Sequence, residues 1–107
     1  MTLDTATRQQ IASRIRAAVP SVRDVLLFGS QARGEARADS DIDLILLVPE
    51  GADRVAVGVA ARRSLWGMDR GFDVLVLTPT DWQRLQASRA WYDRQVTQES
   101  VRLHDVA

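Results

Sequence analysis

The 107-residue chain contains no cysteine, no lysine and a single histidine, His104. The missing thiols exclude disulfides, zinc ribbons and cysteine chemistry. The missing lysine excludes a Walker-A phosphate loop, a kinase strand lysine and any Schiff-base mechanism. All fourteen basic residues are arginine. GC-rich coding bias is the plainer account of that, and the exclusions hold either way. Formal net charge is zero, which argues against a duplex-DNA binder driven by counterion release. The apolar runs are too short for a membrane span, and no signal-peptide pattern opens the chain, so the cytoplasm is the default location. No internal repeat, low-complexity segment or linker is visible. With 46% hydrophobic and 26% charged residues, the chain has the makeup of an ordinary globular protein. Its length predicts one domain, residues 1–107, around one core.

Periodicity predicts the order αβ(α)βαβα. Residues 5–19 read as an amphipathic helix, with Ile11, Ile15, Ala18 and Val19 on one face and Arg8, Arg14 and Arg16 solvated, and Pro20 stops it. Residues 22–28 form a short buried strand, Gly29 allows a tight turn, and the SQARGEA segment is expected to make one or two helical turns. Residues 42–48 are apolar on both faces, as in an interior strand. A helix over 52–66 places Val55, Val59 and Trp66 on one side, with Arg62 and Arg63 near the C-terminal end and Gly67 as terminator. Residues 72–77 are the third strand. Thr78-Pro79-Thr80-Asp81 supplies an N-cap, a first-turn proline and an acidic N3 residue. Helix follows over 82–98, as one piece or two. The expected class is α/β (α+β): a small mixed sheet of three or more strands with helices packed on it.

Chemistry concentrates between Phe28 and Val48. Asp41 and Asp43 stand two apart on a strand, so both side chains leave one face with Cβ atoms ~7 Å apart. Ionised carboxylates converging at ~5 Å repel by about 3 kcal/mol at an effective dielectric of ~20. A cation removes that penalty, and hard oxygen ligands select magnesium or manganese. Two such ions clamp the attacking and leaving oxygens of a phosphoryl displacement. Asp73, at the start of the next strand, is placed to complete a triad and accept a proton. Alone it would read as a turn cap or a solvated residue. Gly29 and Ser30 follow a strand and offer backbone N–H groups and a hydroxyl to phosphate, although most Gly-Ser pairs are only turns. Arg33 lies about one helical turn beyond Ser30, fitting a phosphate partner or a surface salt bridge equally well. Gly34 supplies a turn, and Ser40 orients the Asp41 loop or bonds its own backbone.

These residues resemble the signature of the DNA polymerase β-like nucleotidyltransferase superfamily, in particular its minimal-nucleotidyltransferase (MNT) branch. That pattern is matched by Phe28-Gly29-Ser30, Ala32-Arg33-Gly34 and Ser40-Asp41-Ile42-Asp43, with Phe72-Asp73-Val74 carrying the third carboxylate. The short chain and the Val101-x-Leu103 tail also look like this branch. The resemblance implies Gly29, Ser30 and Arg33 on the nucleotide phosphates, with Ser40 beside them. It implies Asp41, Asp43 and Asp73 as catalytic residues and ligands of two magnesium ions, manganese being the alternative, with ATP as donor. The lysine that some relatives use to assist the leaving pyrophosphate is absent. Chains of this size resemble antitoxins whose partner is an all-helical HEPN toxin with RNase activity, silenced by AMP transfer to a tyrosine. That implies a hetero-oligomer with the toxin and contact with neither duplex DNA nor membrane.

Three functions follow. The first is magnesium-dependent transfer of AMP from ATP to a HEPN toxin, and the second is neutralisation of the toxin by binding alone. The third is nucleotide transfer to a small molecule such as an aminoglycoside, which the lack of an acceptor domain disfavours. Trp66, Trp82 and Trp91 at helical spacing read as core more readily than as a partner face, and Trp91-Tyr92 is the best candidate for an exposed patch. Arg84, Arg89 and Arg94 read as a solvated helix face. His104 receives no catalytic role.

Overall fold

The computed structural model describes residues 4–29 and 41–103. Within them the chain runs α1 (Thr5–Ala18), β1 (Asp24–Phe28), β2 (Ile42–Leu47), α2 (Arg54–Ser64), β3 (Phe72–Leu77), α3 (Pro79–Ala87), α4 (Trp91–Glu99) and β4 (Val101–Arg102). The strands form one mixed sheet in the order β3-β2-β1-β4, with β1 antiparallel to both neighbours and β2 parallel to β3. The α/β class read from the sequence is the class observed. The SQARGEA segment, Ser30, Arg33, Gly34, Ser40 and His104 lie outside the described residues.

Burial on both faces explains why β2 is apolar at every position but Asp43. Val25, Leu27, Ile42, Leu44 and Leu46 meet Ile11, Ile15 and Val19 of the α1 segment together with Ala61 and Leu65 at α2. On the opposite face Leu26, Ile45 and Leu77 meet Trp82 and Leu85 of α3 and Val96 of α4. β2 lies between β1 and β3, so both covers depend on it.

The helices are capped by the residues that precede them. Asp4 accepts from the Thr7 amide at 2.7 Å, and Asp53 accepts from the Ala56 amide at 3.1 Å. These bonds satisfy donors that the first turn leaves unpaired. Thr78 and Asp81 form the reciprocal capping box at α3, with Pro79 in the first turn. The break between α3 and α4 falls at Ser88, so residues 82–98 hold two helices.

Several expectations need correction. Val55, Val59 and Trp66 face solvent, at 77%, 43% and 73% exposure, whereas Gly58 and Ala61 form the buried side of α2. Small residues win that face because the helix packs close to β3, where a side chain at 58 would touch Val76. Ala18 is exposed, and its place in the α1 seam is taken by Ala12. Arg8 and Arg14 are half-buried and held by carbonyls of distant segments. Arg14 donates to the Ser64 and Trp66 carbonyls at 3.2 and 3.0 Å, and Arg8 donates to the Arg102 carbonyl. Trp66 and Trp91 lie outside the core, leaving only Trp82 packed against it. The tail is a fourth strand, pairing Val101 with Leu27 and Arg102 with Leu26, while Leu103 is fully buried. Arg84, Arg89 and Arg94 are exposed, as expected.

Candidate active site

The site occupies the end of the sheet that α3 and α4 leave uncovered. Alternation along β2 puts Asp43 on the same face as Ile45, and alternation along β3 puts Asp73 on the same face as Leu75 and Leu77. Ile45 and Leu77 are roofed by the helices. Leu75 is 48% exposed, and the face is open from there to the carboxylates. Parallel pairing sets Asp43 directly beside Asp73, and antiparallel pairing sets Phe28 beside Asp43. Two carboxylates thus stand side by side on adjacent strands, which are ~4.8 Å apart. Asp43 is half-buried and Asp73 exposed.

Two glycines make room for the acids. Gly29 follows β1 with φ +75°, and a Cβ built on it would lie 2.5 Å from Asp43 Oδ2. The Asp43 carboxylate therefore packs on bare backbone, and any larger residue there would push it aside. The left-handed conformation independently favours glycine there. Across the sheet the Asp41 carboxylate lies against Gly71 in the same manner. Asp41 precedes β2, where the Ile42 amide donates to the Gly71 carbonyl at 2.9 Å and carries the ladder to the strand's edge. Asp41 leans toward β3 and Asp43 toward β1. No three such groups among the described residues converge as a preformed ion cage. The donor set is still the hard-oxygen set that suits magnesium, and its Cβ atoms share one sheet face, so the residues present fit such an ion.

A cavity of about 280 Å³ opens over this pair. Asp43 and Asp73 supply its acidic side, Phe28, Ile45, Leu75 and Val96 its apolar wall, and Arg62 its cationic edge. The arrangement offers carboxylates that can bind a cation and take a proton beside a wall suited to an aromatic ring. Of the residues that the sequence singled out as site candidates, Asp43 and Asp73 line this cavity, while Asp41 and Gly29 are not among its lining. Sequence reasoning missed Arg62 and the apolar wall, since neither belongs to a motif. Gly58, one turn before Arg62, was the available signal.

A mixed sheet carrying side-by-side carboxylates next to a glycine turn is the framework of a nucleotidyl-transfer domain. The sequence profile described as nucleotidyltransferase domain matches residues 8–105, and the chain belongs to that family. No curated protein matches the sequence significantly. Among solved structures, the fold is similar to that of a toxin–antitoxin complex with AMP-PNP. The TM-score is 0.64 at 23% identity, over 90% of this chain and 71% of that one. A second similar structure, from Shewanella oneidensis, is a tri-AMPylated HEPN toxin in complex with its MNT antitoxin. Here the TM-score is 0.59 at 20% identity, over 92% of this chain and 69% of that one. A third, a candidate nucleotidyltransferase from Sulfolobus solfataricus, matches with TM-score 0.59 at 20% identity, over 94% of this chain and 87% of that one. These likenesses show that the fold is shared with those proteins, in keeping with the family match. Among the described residues, no helix is long and apolar enough to cross a membrane.

Proposed function

We propose that the chain transfers AMP from ATP to a tyrosine hydroxyl of a helical HEPN toxin and thereby acts as its antitoxin. The observation that carries this reading is the Asp43–Asp73 pair, in register over an open cavity with Gly29 packed beneath Asp43. The family match supports the reaction class. The two similar complexes, one with AMP-PNP and one with an AMPylated HEPN toxin, support the donor and the partner.

Asp41, Asp43 and Asp73 would hold magnesium, which when bound neutralises the carboxylates and draws charge from the phosphate oxygens. Gly29 keeps the backbone low enough for Asp43 to face a phosphate chain, and Ser30 and Arg33 supply donors to it. The acceptor hydroxyl attacks the α-phosphorus as its proton passes to the Asp73 carboxylate. The bond from that phosphorus to the bridging oxygen breaks, and pyrophosphate leaves. Asp73, the exposed member of the pair, is the carboxylate that an incoming hydroxyl reaches most readily. Phe28, Leu75 and Val96 form the wall on which the acceptor ring would rest.

The test is to incubate the chain with ATP, magnesium and the helical protein encoded beside it, then weigh the partner by mass spectrometry. One or more added AMP groups, absent with Asp43→Asn or Asp73→Asn, are expected. Neutralisation that survives both substitutions with no change of mass would instead make the chain an antitoxin by binding alone.

A further inference from the structure

An uncovered apolar row lies beside the site. On α2, Val55, Val59 and Arg62 fall within an arc of roughly 60° at about 3.6 residues per turn. Trp66 continues the row in the turn that follows the helix, and Val55, Val59 and Trp66 are all exposed. Gly58, packed against Val76 of β3, borders that arc, so the row runs along the flank of α2 next to the outer edge of the sheet. Single exposed apolar residues are ordinary, whereas an aligned row marks a surface that something covers. Arg62 joins this row to the catalytic cavity. Its guanidinium donates to the Val74 carbonyl at 3.2 Å. The Gly71 and Leu77 carbonyls accept from β2 amides, so alternation turns the Val74 carbonyl to the free edge. Arg62 therefore crosses that edge beside Asp73 and lines the cavity that Asp43 and Asp73 share. On the other side it lines a second hollow, of about 340 Å³, with Trp66, Met68 and Phe72.

From this continuity we infer that the α2 flank docks a helix of the acceptor protein, with Trp66, Val55 and Val59 as its apolar seat and Arg62 pairing an acidic residue of that helix. The inference rests on the function proposed above and adds where the acceptor is held, on the side from which its hydroxyl reaches Asp73. Charge selects the occupant. Between Arg54 and Ser64 the helix has no acidic residue, while Arg62 and Arg63 are both exposed. A second copy laid along the same flank would bring its own arginines and no helical carboxylate to meet them. Addition of a strand to β3 is opposed where Arg62 already occupies the Val74 carbonyl. An acidic helix meets both conditions. Its ridge fits a row spaced four, three and four residues apart, and its carboxylates suit the paired donors of a guanidinium. The anchor is also held ready. The Trp66 amide donates to the Arg63 carbonyl at 3.2 Å, and the Trp66 carbonyl accepts from Arg14 at 3.0 Å, which fixes the backbone before a partner arrives.

Because the chain has no cysteine, Val59→Cys creates a unique thiol for a benzophenone photocrosslinker. The labelled full chain is mixed with the helical protein encoded beside it and irradiated, with Trp91→Cys, exposed on α4, as the control. Position 59 should capture that protein on a helix bearing acidic residues, and position 91 should capture far less. Equal capture from both positions, or crosslinking of two copies of this chain, overturns the inference. In parallel, Trp66→Ala and Val59→Glu should raise the KM for the acceptor protein about tenfold or more, the loss typical of an anchor, and leave magnesium–ATP binding within about twofold. Both positions are exposed, and a thermal melt confirms that the variants fold. Arg62→Glu should weaken acceptor binding as well. An unchanged KM in the folded Trp66→Ala and Val59→Glu variants, or wild-type acceptor binding by Arg62→Glu, overturns the docking surface and leaves the proposed function standing. A wild-type chain that binds the acceptor through this flank yet adds no AMP overturns the proposed function alone. A wild-type chain that neither binds nor modifies it overturns both.

Discussion

Gly29→Ala should separate catalytic geometry from stability, and the size of each effect follows from the structure. Alanine at φ +75° costs about 1–2 kcal/mol for a left-handed backbone. Its Cβ would also sit 2.5 Å from Asp43 Oδ2, roughly 1 Å inside ordinary contact. The group in the way is the end of a short side chain, so it yields by leaving its rotamer at about 0.5–1.5 kcal/mol. Gly51 is the internal control. It has φ +84° and nothing within 4 Å of its would-be Cβ, so Gly51→Ala carries the backbone cost alone. Both variants should melt lower by roughly 5–15 °C, with Gly29→Ala only slightly the worse. Activity should diverge. Displacing a reacting carboxylate by about 1 Å costs on the order of a hundredfold in rate, whereas Gly51→Ala should transfer AMP at close to the wild-type rate below its melting point. Thermal melts beside initial rates of partner AMPylation make the comparison. A Gly29→Ala protein that keeps more than a tenth of wild-type activity, or falls no further than Gly51→Ala, refutes the argument that Gly29 exists to seat Asp43.

Other expectations concern the frame around the site. Leu103→Ala should destabilise by about 2–5 kcal/mol in denaturant unfolding, because Leu103 is fully buried in the main core despite its place after the last strand. Thr78→Ala removes the capping box and should cost about 1 kcal/mol, read as a drop in melting temperature. Hydrogen bonds from Thr80 hold the Glu50 carboxyl below its ordinary value, and the Thr78 backbone N–H does the same for Asp81. Groups lowered in the folded state stabilise above their unfolded pKa values. The chain should therefore lose stability as pH falls below about 4.5 and on through the folded values of both groups. A melting series from pH 6 to 3 checks this, and Glu50→Gln should flatten the slope. Arg14→Ala opens the clamp on the end of α2 and should cost about 1–2 kcal/mol, since two carbonyls lose their donor.

What was legible in the sequence was what local chemistry dictates. Thr78-Pro79-Thr80-Asp81 specifies a helix start through side chain-to-backbone bonds within four residues, and it formed as read. The Gly29 turn and the Asp41–Asp43 spacing were likewise visible, because a left-handed glycine and two acids on one strand leave few alternatives. What failed depended on distant partners. Val55, Val59 and Trp66 make a regular apolar stripe, but α2 buries Gly58 and Ala61 because only small residues let it approach β3. Strand β4 has two residues and no periodicity to detect, and its pairing is set by the free edge of β1. Arg8 and Arg14 look solvated on a helical wheel and are held by carbonyls far along the chain. Arg62 belongs with these, a long side chain whose destination is decided by a glycine one turn away and a strand that packs beside it.

The parallel pairing of β2 with β3 has a consequence in time. Asp43 lies on a strand that pairs with β1, an antiparallel contact closed over a short stretch of chain. Asp73 joins it only when the chain has passed through α2 and returned alongside β2, a closure that costs more loop entropy and belongs to the slower kind of contact. The turn and the first two acids can therefore be in place before Asp73 is. Competence to transfer a nucleotide is acquired with the last strand pairing of the site. During refolding, activity should trail the β1–β2 pairing, and a newly made chain should hold no working centre until that crossover has closed.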